Sequence, residues 1–513
     1  MTALLIAAGV LIVALGIILS IALHEVGHLL PAKLFKVRVT QYMIGFGPTL
    51  WSTRKGETEY GVKALPLGGY VAMIGMYPEP DERRRLEGEE PDDDGAGSSP
   101  DEGPSDPYLR ELGAQYGTPH PTAPFTARAT SGQSTPQQSD DQHRPTQGDG
   151  TRTVTSHATG IFQQMSNEAR EVAAEELRPG DEQRMFYRLA VWKKIIVMLG
   201  GPAMNGLIAL LLTAGTVSLH GVNEAVPRVT EVYECVVSVQ DAQAGREECT
   251  DQDPAGPAYE AGLRPGDEIV EFRGQEVQDW EQLTGMIRES AGQSSSLVYE
   301  RNGERHSTTL TPIEHERPVL DSFNRPEVAE DGSIITEPVG FIGMGADSEL
   351  TRKAPWEAGP MVWEQTKAVA GIVVTLPVRL YDVAVTTFTD AERDPDGPMS
   401  VVGVGRIAGE ISSQETIPWE SRFAVLMSLV AGVNVALMVF NLIPLLPLDG
   451  GHVAGALYES LRRRLAKLLG RPDPGPFDIS KLLPLTYVVF AMLLGMGALL
   501  IYADIVNPIR LFE

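Results

Sequence analysis

Residues 21–30 read "IALHEVGHLL" and set two histidines and a glutamate at the close of a run that is apolar or small from Ala3 to Leu23, apart from Ser20. Such a run is long enough to cross ~30 Å of hydrocarbon at about 1.5 Å per residue. Ionisable groups at the end of a membrane helix are costly and are normally functional or paired. His24 and His28 stand four residues apart, so on a helix they share one face and can grip one metal ion, with Glu25 beside them as a proton acceptor for metal-activated water. The plain alternative is a polar cap that marks the interface. A cap has no need of His–Glu–x–x–His in this order.

Working outward, three more segments are strongly apolar: Ile195–Leu219, Phe423–Leu448 and Leu485–Ile501, the last extended by Tyr502, Ala503 and Ile505. Four spanning helices are expected. Residues 361–388 are also largely apolar, but Glu364, Lys367, Pro377, Arg379 and Asp382 interrupt them, so an interfacial amphipathic segment is expected there. The first helix has no basic residue ahead of it and no small-residue cleavage site, so it reads as a retained helix rather than a signal peptide.

The net charge of −26 is unevenly spread. Residues 77–183 hold 22 acidic and 9 basic side chains, half of the whole excess, within Pro-, Gly- and Ser-rich sequence. That composition buries too little apolar surface to offset its ordering entropy, so a disordered insert is expected, with a short helix near 168–176. The acidity is no sign of a basic partner. No basic patch with interleaved aromatics is present, which speaks against nucleic acid.

Basic residues gather on one side of the expected helices. Lys33, Lys36 and Arg38 follow the first, Arg184, Arg188, Lys193 and Lys194 precede the second, and Arg462, Arg463, Arg464, Lys467, Arg471 and Lys481 lie between the third and fourth. The positive-inside rule makes that side cytoplasmic and both chain ends extracytoplasmic. The two cysteines, Cys235 and Cys249, then fall in an oxidising compartment, where a bridge closing a short loop is favoured over two inert thiols.

A catalytic zinc site needs a third protein ligand and an open position. By the same topology it must come from the cytoplasmic side, and "FNLIPLLPLDGGH" supplies Asp449 at the end of the third apolar run. Two prolines and two glycines break the helix there, which is tolerable at membrane depth only where the backbone is buried in protein or lines a wet cavity. Alone, Asp449 reads as a turn residue before Gly450 and Gly451; beside His24 and His28 it reads as a ligand. His452 is close by, but three ligands are already provided. Asn205 and Asn434, within spans, read as helix-packing groups.

Residues 44–76 alternate aromatic or β-branched with polar residues around "TRKGE", as short strands do. Residues 256–283, "GPAYEAGLRPGDEIVEFRGQEVQDWEQL", give a short helix, a turn, an alternating strand and a second helix from about Asp279. They resemble a PDZ domain through Ala261, Gly262, Leu263, Gly266, Asp267 and Ile269, and PDZ domains take extended peptides onto a sheet edge. The fold class expected is an α-helical polytopic membrane protein of four transmembrane helices, with a membrane-associated β-strand region and an inserted extracytoplasmic PDZ domain. Its parts are 1–76 (first helix and strands), 77–185 (acidic disordered insert), 186–221 (second helix), 222–318 (PDZ domain), 319–420 (connecting segment with the interfacial helix) and 421–513 (third and fourth helices).

HEVGH, "GGPAMN", the PDZ-like insertion and "NLIPLLPLDGG" together resemble the site-2 protease family of intramembrane zinc proteases, and "ADIVNPIRLF" extends the likeness. The order of parts is similar to the actinobacterial single-PDZ members, the long insert excepted. The resemblance implies Zn2+ held by His24, His28 and Asp449, with Glu25 as general base. Asn441 matches an asparagine that holds substrate backbone, against the alternative of an interhelical hydrogen bond. "PLGGYV" resembles a strand that clamps substrate, with Gly68 and Gly69 permitting close approach, against an ordinary turn. Implied partners are single-span membrane proteins such as anti-sigma factors, cut after a first extracytoplasmic cleavage in regulated intramembrane proteolysis, a trimmed substrate terminus at the PDZ domain, and the plasma-membrane bilayer. The rival readings are a non-catalytic PDZ-bearing scaffold and, with no internal repeat to support it, a transporter with a midplane carboxylate.

Overall fold

The computed structural model describes residues 2–76, 180–237, 246, 248–250, 252–319, 329, 335–389, 393 and 397–509. Helix α1 (Thr2–Leu34) runs unbroken through the HEVGH motif and past Pro31, so the motif lies within the helix and not beyond its end. Two long strands follow, β1 (Val39–Lys55) and β2 (Thr58–Met73). They bend back on themselves, since Ile44 pairs with both Gly69 and Val62 while Trp51 also pairs with Val62. The result is a curled sheet of four passes in the order 49–55, 58–63, 41–46 and 69–73. The Tyr42 hydroxyl donates to the Ala22 carbonyl (2.8 Å) and ties this sheet to α1.

The expected disordered insert and its short helix fall on residues outside the described ones up to 179. Its last residues, 180–185, depart from that expectation. Asp181 pairs with buried Arg38, Met185 is buried, and Arg184 forks onto Glu57 at 2.8 and 2.6 Å. A buried guanidinium needs a carboxylate partner, and Asp181 provides it.

Helix α2 (Val191–Leu219) lies antiparallel to α1, with Gly200 against Gly27. After it come β3 (Val222–Val232), α3 (Pro257–Glu260), β4 (Glu268–Phe272), β5 (Gln275–Glu276), α4 (Trp280–Arg288), β6 (Ser295–Arg301), β7 (Glu304–Leu310), β8 (Ile313–Pro318), β9 (Thr336–Phe341) and β10 (Met344–Thr351). These form a β domain whose main sheet runs β10-β3-β4-β6-β7, with β5 on β4 and β8 paired to β9. Its core holds Val229, Ile269, Phe272, Leu283 and Leu297. The domain does not stop at 318. The whole of β10 pairs with β3, from Met344 on Val232 to Thr351 on Val222. Strands that far apart in sequence meet through tertiary packing, which local alternation does not announce. Cys235 and Cys249 are disulfide-bonded, 14 residues apart.

The chain continues as α5 (Ala358–Phe388), α6 (Val401–Ser413), α7 (Trp419–Asn441), α8 (Asp449–Leu468) and α9 (Leu483–Val506). Five described helices are long and apolar enough to cross a membrane: those within 2–34, 191–219, 355–388, 419–441 and 483–506. One more qualifies than the sequence reading admitted, because the interrupted stretch 361–388 forms one continuous helix, with Lys367 and Glu364 paired at 2.8 Å on its surface. Helix α7 runs alongside α1. A Cβ on Gly16 would lie 2.9 Å from Val430, and the Asn434 amide donates to Ser20 Oγ at 2.8 Å. Helices α6 and α8 were not anticipated.

In the β domain Asp267 is buried and accepts from Arg301 Nε (2.7 Å), Arg301 Nη2 (2.8 Å) and the Arg264 N–H (2.7 Å). Burial pushes this carboxyl up, but the Arg301 bonds and the Arg264 N–H outweigh it and hold it below its ordinary value of 3.8. A depressed folded-state pKa gives stability that is present above the unfolded-state value and lost as pH falls through the folded one. Hydrogen exchange in the β domain of the full chain should therefore show it loosening below about pH 4. Asp267→Asn should cost about 2 kcal/mol at neutral pH and flatten that acid response; an unchanged response would remove Asp267 as its source.

Candidate metal centre

Four-residue spacing puts His24 and His28 on one face of α1. Asp449 arrives from the other end of the chain, as the first residue of α8. The turn 442–448 delivers it. The Leu448 N–H donates to the Leu445 carbonyl (2.9 Å) and the Gly451 N–H to the Leu448 carbonyl (3.0 Å). A Cβ on Gly450 would sit 2.3 Å from the Ile443 carbonyl oxygen, and one on Gly451 would sit 2.6 Å from the Leu446 nitrogen. Only glycines let α8 start folded against its own approach loop.

Three lone-pair atoms converge. His24 Nε2 lies 3.4 Å and His28 Nε2 3.3 Å from Asp449 Oδ2, and the two Nε2 atoms are 3.3 Å apart. Among the described residues these are the His, Cys, Asp or Glu side chains grouped closely enough to hold a metal ion. Asp449 Oδ2 is buried without a hydrogen-bond donor. The groups beyond the ring explain why no proton sits between them. His28 Nδ1 lies 2.8 Å from the Val197 carbonyl, which can only accept, so Nδ1 carries the proton and Nε2 is a bare lone pair. His24 Nδ1 lies 3.1 Å from the Asn205 amide. Turning that amide gives its otherwise unpartnered Oδ1 a donor and frees His24 Nε2 in the same way. Two imidazole nitrogens and a carboxylate oxygen form a donor set that suits zinc, with room for a fourth position.

Asn205, read from sequence as a packing group, thus belongs to the site. The signal was there in its spacing, since Val197, Gly201 and Asn205 recur every four residues along one face of α2. Gly201 is equally constrained. A Cβ there would fall 2.2 Å from His28 Nε2 and 2.7 Å from His24 Nε2.

Glu25 is 9 % exposed and faces the curled sheet, where a Cβ on Gly69 would lie 2.8 Å from its Cγ and 3.3 Å from Oε1. Gly68 has φ +151°, with the Phe46 ring 2.5 Å from where its Cβ would be. Asn441 is the last residue of α7, half-buried, and the turn 442–448 separates it from Asp449. His452 lies one turn into α8 and is not among the three converging groups.

The profile of peptidase family M50 matches residues 12–470. Over 512 residues the chain is 29% identical to the zinc metalloprotease Rip1 of Mycobacterium bovis, covering 98% of this chain and 99% of that protein. Identity to the zinc metalloprotease Rip1 of Mycolicibacterium smegmatis is 28% over 517 residues, again 98% and 99%. With the zinc metalloprotease RasP of Geobacillus kaustophilus it is 23% over 491 residues, 94% of each chain. The family match takes in both histidines and the aspartate together with the helices that bring them into contact, so the chain belongs to peptidase family M50 and is a membrane-embedded zinc metalloprotease.

Proposed function

We propose that the enzyme cuts within the membrane-spanning segments of single-span proteins, anti-sigma factors among them, after a first extracytoplasmic cut. The observation that carries this is the placement of His24, His28 and Asp449 on helices long and apolar enough to cross a bilayer, or directly continuous with one through a short turn. His24, His28 and Asp449 are the ligands and Glu25 the general base. What bound zinc supplies there is Lewis acidity, which makes a nucleophile from water near neutral pH and polarises the scissile carbonyl. Glu25 takes the proton from the attacking water on its carboxylate and returns it to the leaving amide nitrogen. The Val197 carbonyl and the Asn205 amide hold the two imidazoles in the ligating tautomer.

A spanning substrate is a helix, and its carbonyls are hydrogen-bonded within it. The pass 69–73 of the curled sheet is paired on one side only among the described residues, and it begins where Gly69 meets Glu25. A substrate stretch drawn out of helical form can satisfy its backbone on that edge and lie across the metal site. Gly68 and Gly69 permit the close approach, and Asn441 is a candidate to hold the substrate backbone from α7.

Four crossings, with the motif end cytoplasmic and the β domain outside, fit the sequence and the packing together. Helix α5 is tied at both ends to the end of the bundle that holds the N-terminal turns of α1. The Lys353 N–H just before it donates to the Val217 carbonyl at the end of α2, and Asn507 Nδ2 just after α9 donates to the Thr386 carbonyl near its other end. That end of α9 is joined in turn to α6, where Asp504 accepts from the Ser400 and Gly403 N–H groups, and α6 sets Gly409 against Ile6 of α1. Helix α5 can therefore lie in the outer interface without crossing. The β domain reads as a PDZ domain whose edge strand β10 and helix α4 flank a 310 Å³ cavity lined by Trp280, Thr284, Ile287, Phe341, Ile342 and Met344. It is suited to a trimmed substrate terminus.

Glu25→Gln should lower cleavage of a single-span substrate by about 10²–10⁴-fold while zinc content and folding stay unchanged. Equal cleavage by both proteins would remove Glu25 as base, whereas no cleavage by either, with zinc bound, would favour a binding-only scaffold. Gly201→Ala should act by a different route, leaving a folded protein that no longer retains stoichiometric zinc in metal analysis; full zinc occupancy would refute the assignment of His24 and His28 as ligands. Chelation should silence the wild type, and added zinc should restore it.

A further inference from the structure

Helix α8 continues for several turns beyond the metal ligand that starts it, and its two faces differ sharply. One face is pinned to the protein. Gly451, Gly455, Ala456 and Glu459 are buried, and Glu459 Oε2 accepts from Lys194 Nζ of α2 at 2.8 Å and from the Phe477 N–H at 3.2 Å. Its opposite face exposes leucines on successive turns: Leu457 at 54 %, Leu461 at 55 % and Leu468 at 82 %, with Leu465 beside them. Arg464 and Lys467 are exposed along one flank of that row, and Arg471 is exposed just past the end of the helix, after Gly470. The two acids of α8 are Asp449 and the buried Glu459, so the exposed part of the helix carries positive charge alone.

A leucine row flanked by cations is the pattern of a helix lying in a bilayer interface. Helix α8 is not among the helices apolar enough to cross. Resting on the reading that this end of the bundle is cytoplasmic, we propose that the Leu457–Leu468 face of α8 docks on the inner leaflet and that Arg464, Lys467 and Arg471 bind anionic lipid headgroups there. The argument for this occupant is charge complementarity. The leucines take the acyl boundary, the cations take negative headgroups, and the Lys194–Glu459 pair keeps the helix from rolling. Each cation close to an anionic surface is expected to raise its hold about fivefold.

The test is hydrogen exchange of residues 457–471 in the intact protein, held in nanodiscs of phosphatidylcholine alone or with about 30 % phosphatidylglycerol, a content chosen to exceed ordinary surface potentials. Exchange should slow at least about fivefold with the anionic lipid. The triple variant Arg464→Gln, Lys467→Gln, Arg471→Gln should lose that lipid dependence with zinc content unchanged, and Leu461→Ser with Leu465→Ser should speed exchange in both lipids. Identical exchange in the two lipids would overturn the proposal. So would protection in neutral lipid that salt abolishes, which would make an acidic protein segment the occupant. Zinc and cleavage measured on the same samples separate this outcome from the protease reading: a Glu25→Gln protein that still cleaves leaves the lipid result standing.

Discussion

Three acceptors meet at van der Waals distance with no proton among them, and the rest of the molecule serves that meeting. Two neutral imidazole nitrogens and a carboxylate oxygen repel one another in a low-dielectric interior unless a cation sits between them. Keeping them together requires helix backbones in contact. Gly27 against Gly200 gives the approach of α1 to α2, Gly201 leaves the ring space vacant, and Gly450 and Gly451 fold α8 back onto the turn before it. A side chain at Gly27, Gly200, Gly450 or Gly451 would move a backbone and carry one of the three converging groups away from the other two, and a side chain at Gly201 would push on the imidazole rings themselves.

Around this centre the chain distributes distinct tasks. The ring tautomers are set by α2, which contributes the Val197 carbonyl and the Asn205 amide. Alignment of α7 with α1 rests on Asn434 and Ser20, a hydrogen bond between neutral groups in which the Asn434 amide nitrogen donates to Ser20 Oγ and to the Val430 carbonyl. The curled sheet is anchored through Tyr42 and brings a glycine edge to Glu25. These interactions are local in space and distant in sequence.

That distance explains what was legible. HEVGH and LDGG could be read because spacing and residue type carry the chemistry by themselves, and the apolar runs could be read because length and hydropathy suffice. Asn205 was visible as a polar residue in a span, but its target ring lies far away in the chain, and only the repeat Val197, Gly201, Asn205 pointed toward a shared face. The β domain was recognisable from Gly266, Asp267 and Ile269, whereas its edge strand β10 was assigned to a connector because its partner β3 is separated from it by the rest of the domain. Helix α8 escaped notice because its pattern sits next to broken, proline-rich sequence, and two of its first three residues are glycines. The charges in 361–388 pointed to an interfacial helix rather than a spanning one, yet Glu364 and Lys367 pair with each other on its surface.

The late position of Asp449 along the chain has a consequence for biosynthesis. While translation has reached only the β domain, the nascent protein carries His24, Glu25 and His28 but lacks Asp449. On the proposed set of three converging groups, ribosomal order thus acts as a safety catch: the set is completed only after the penultimate long apolar helix and the turn behind it have been made.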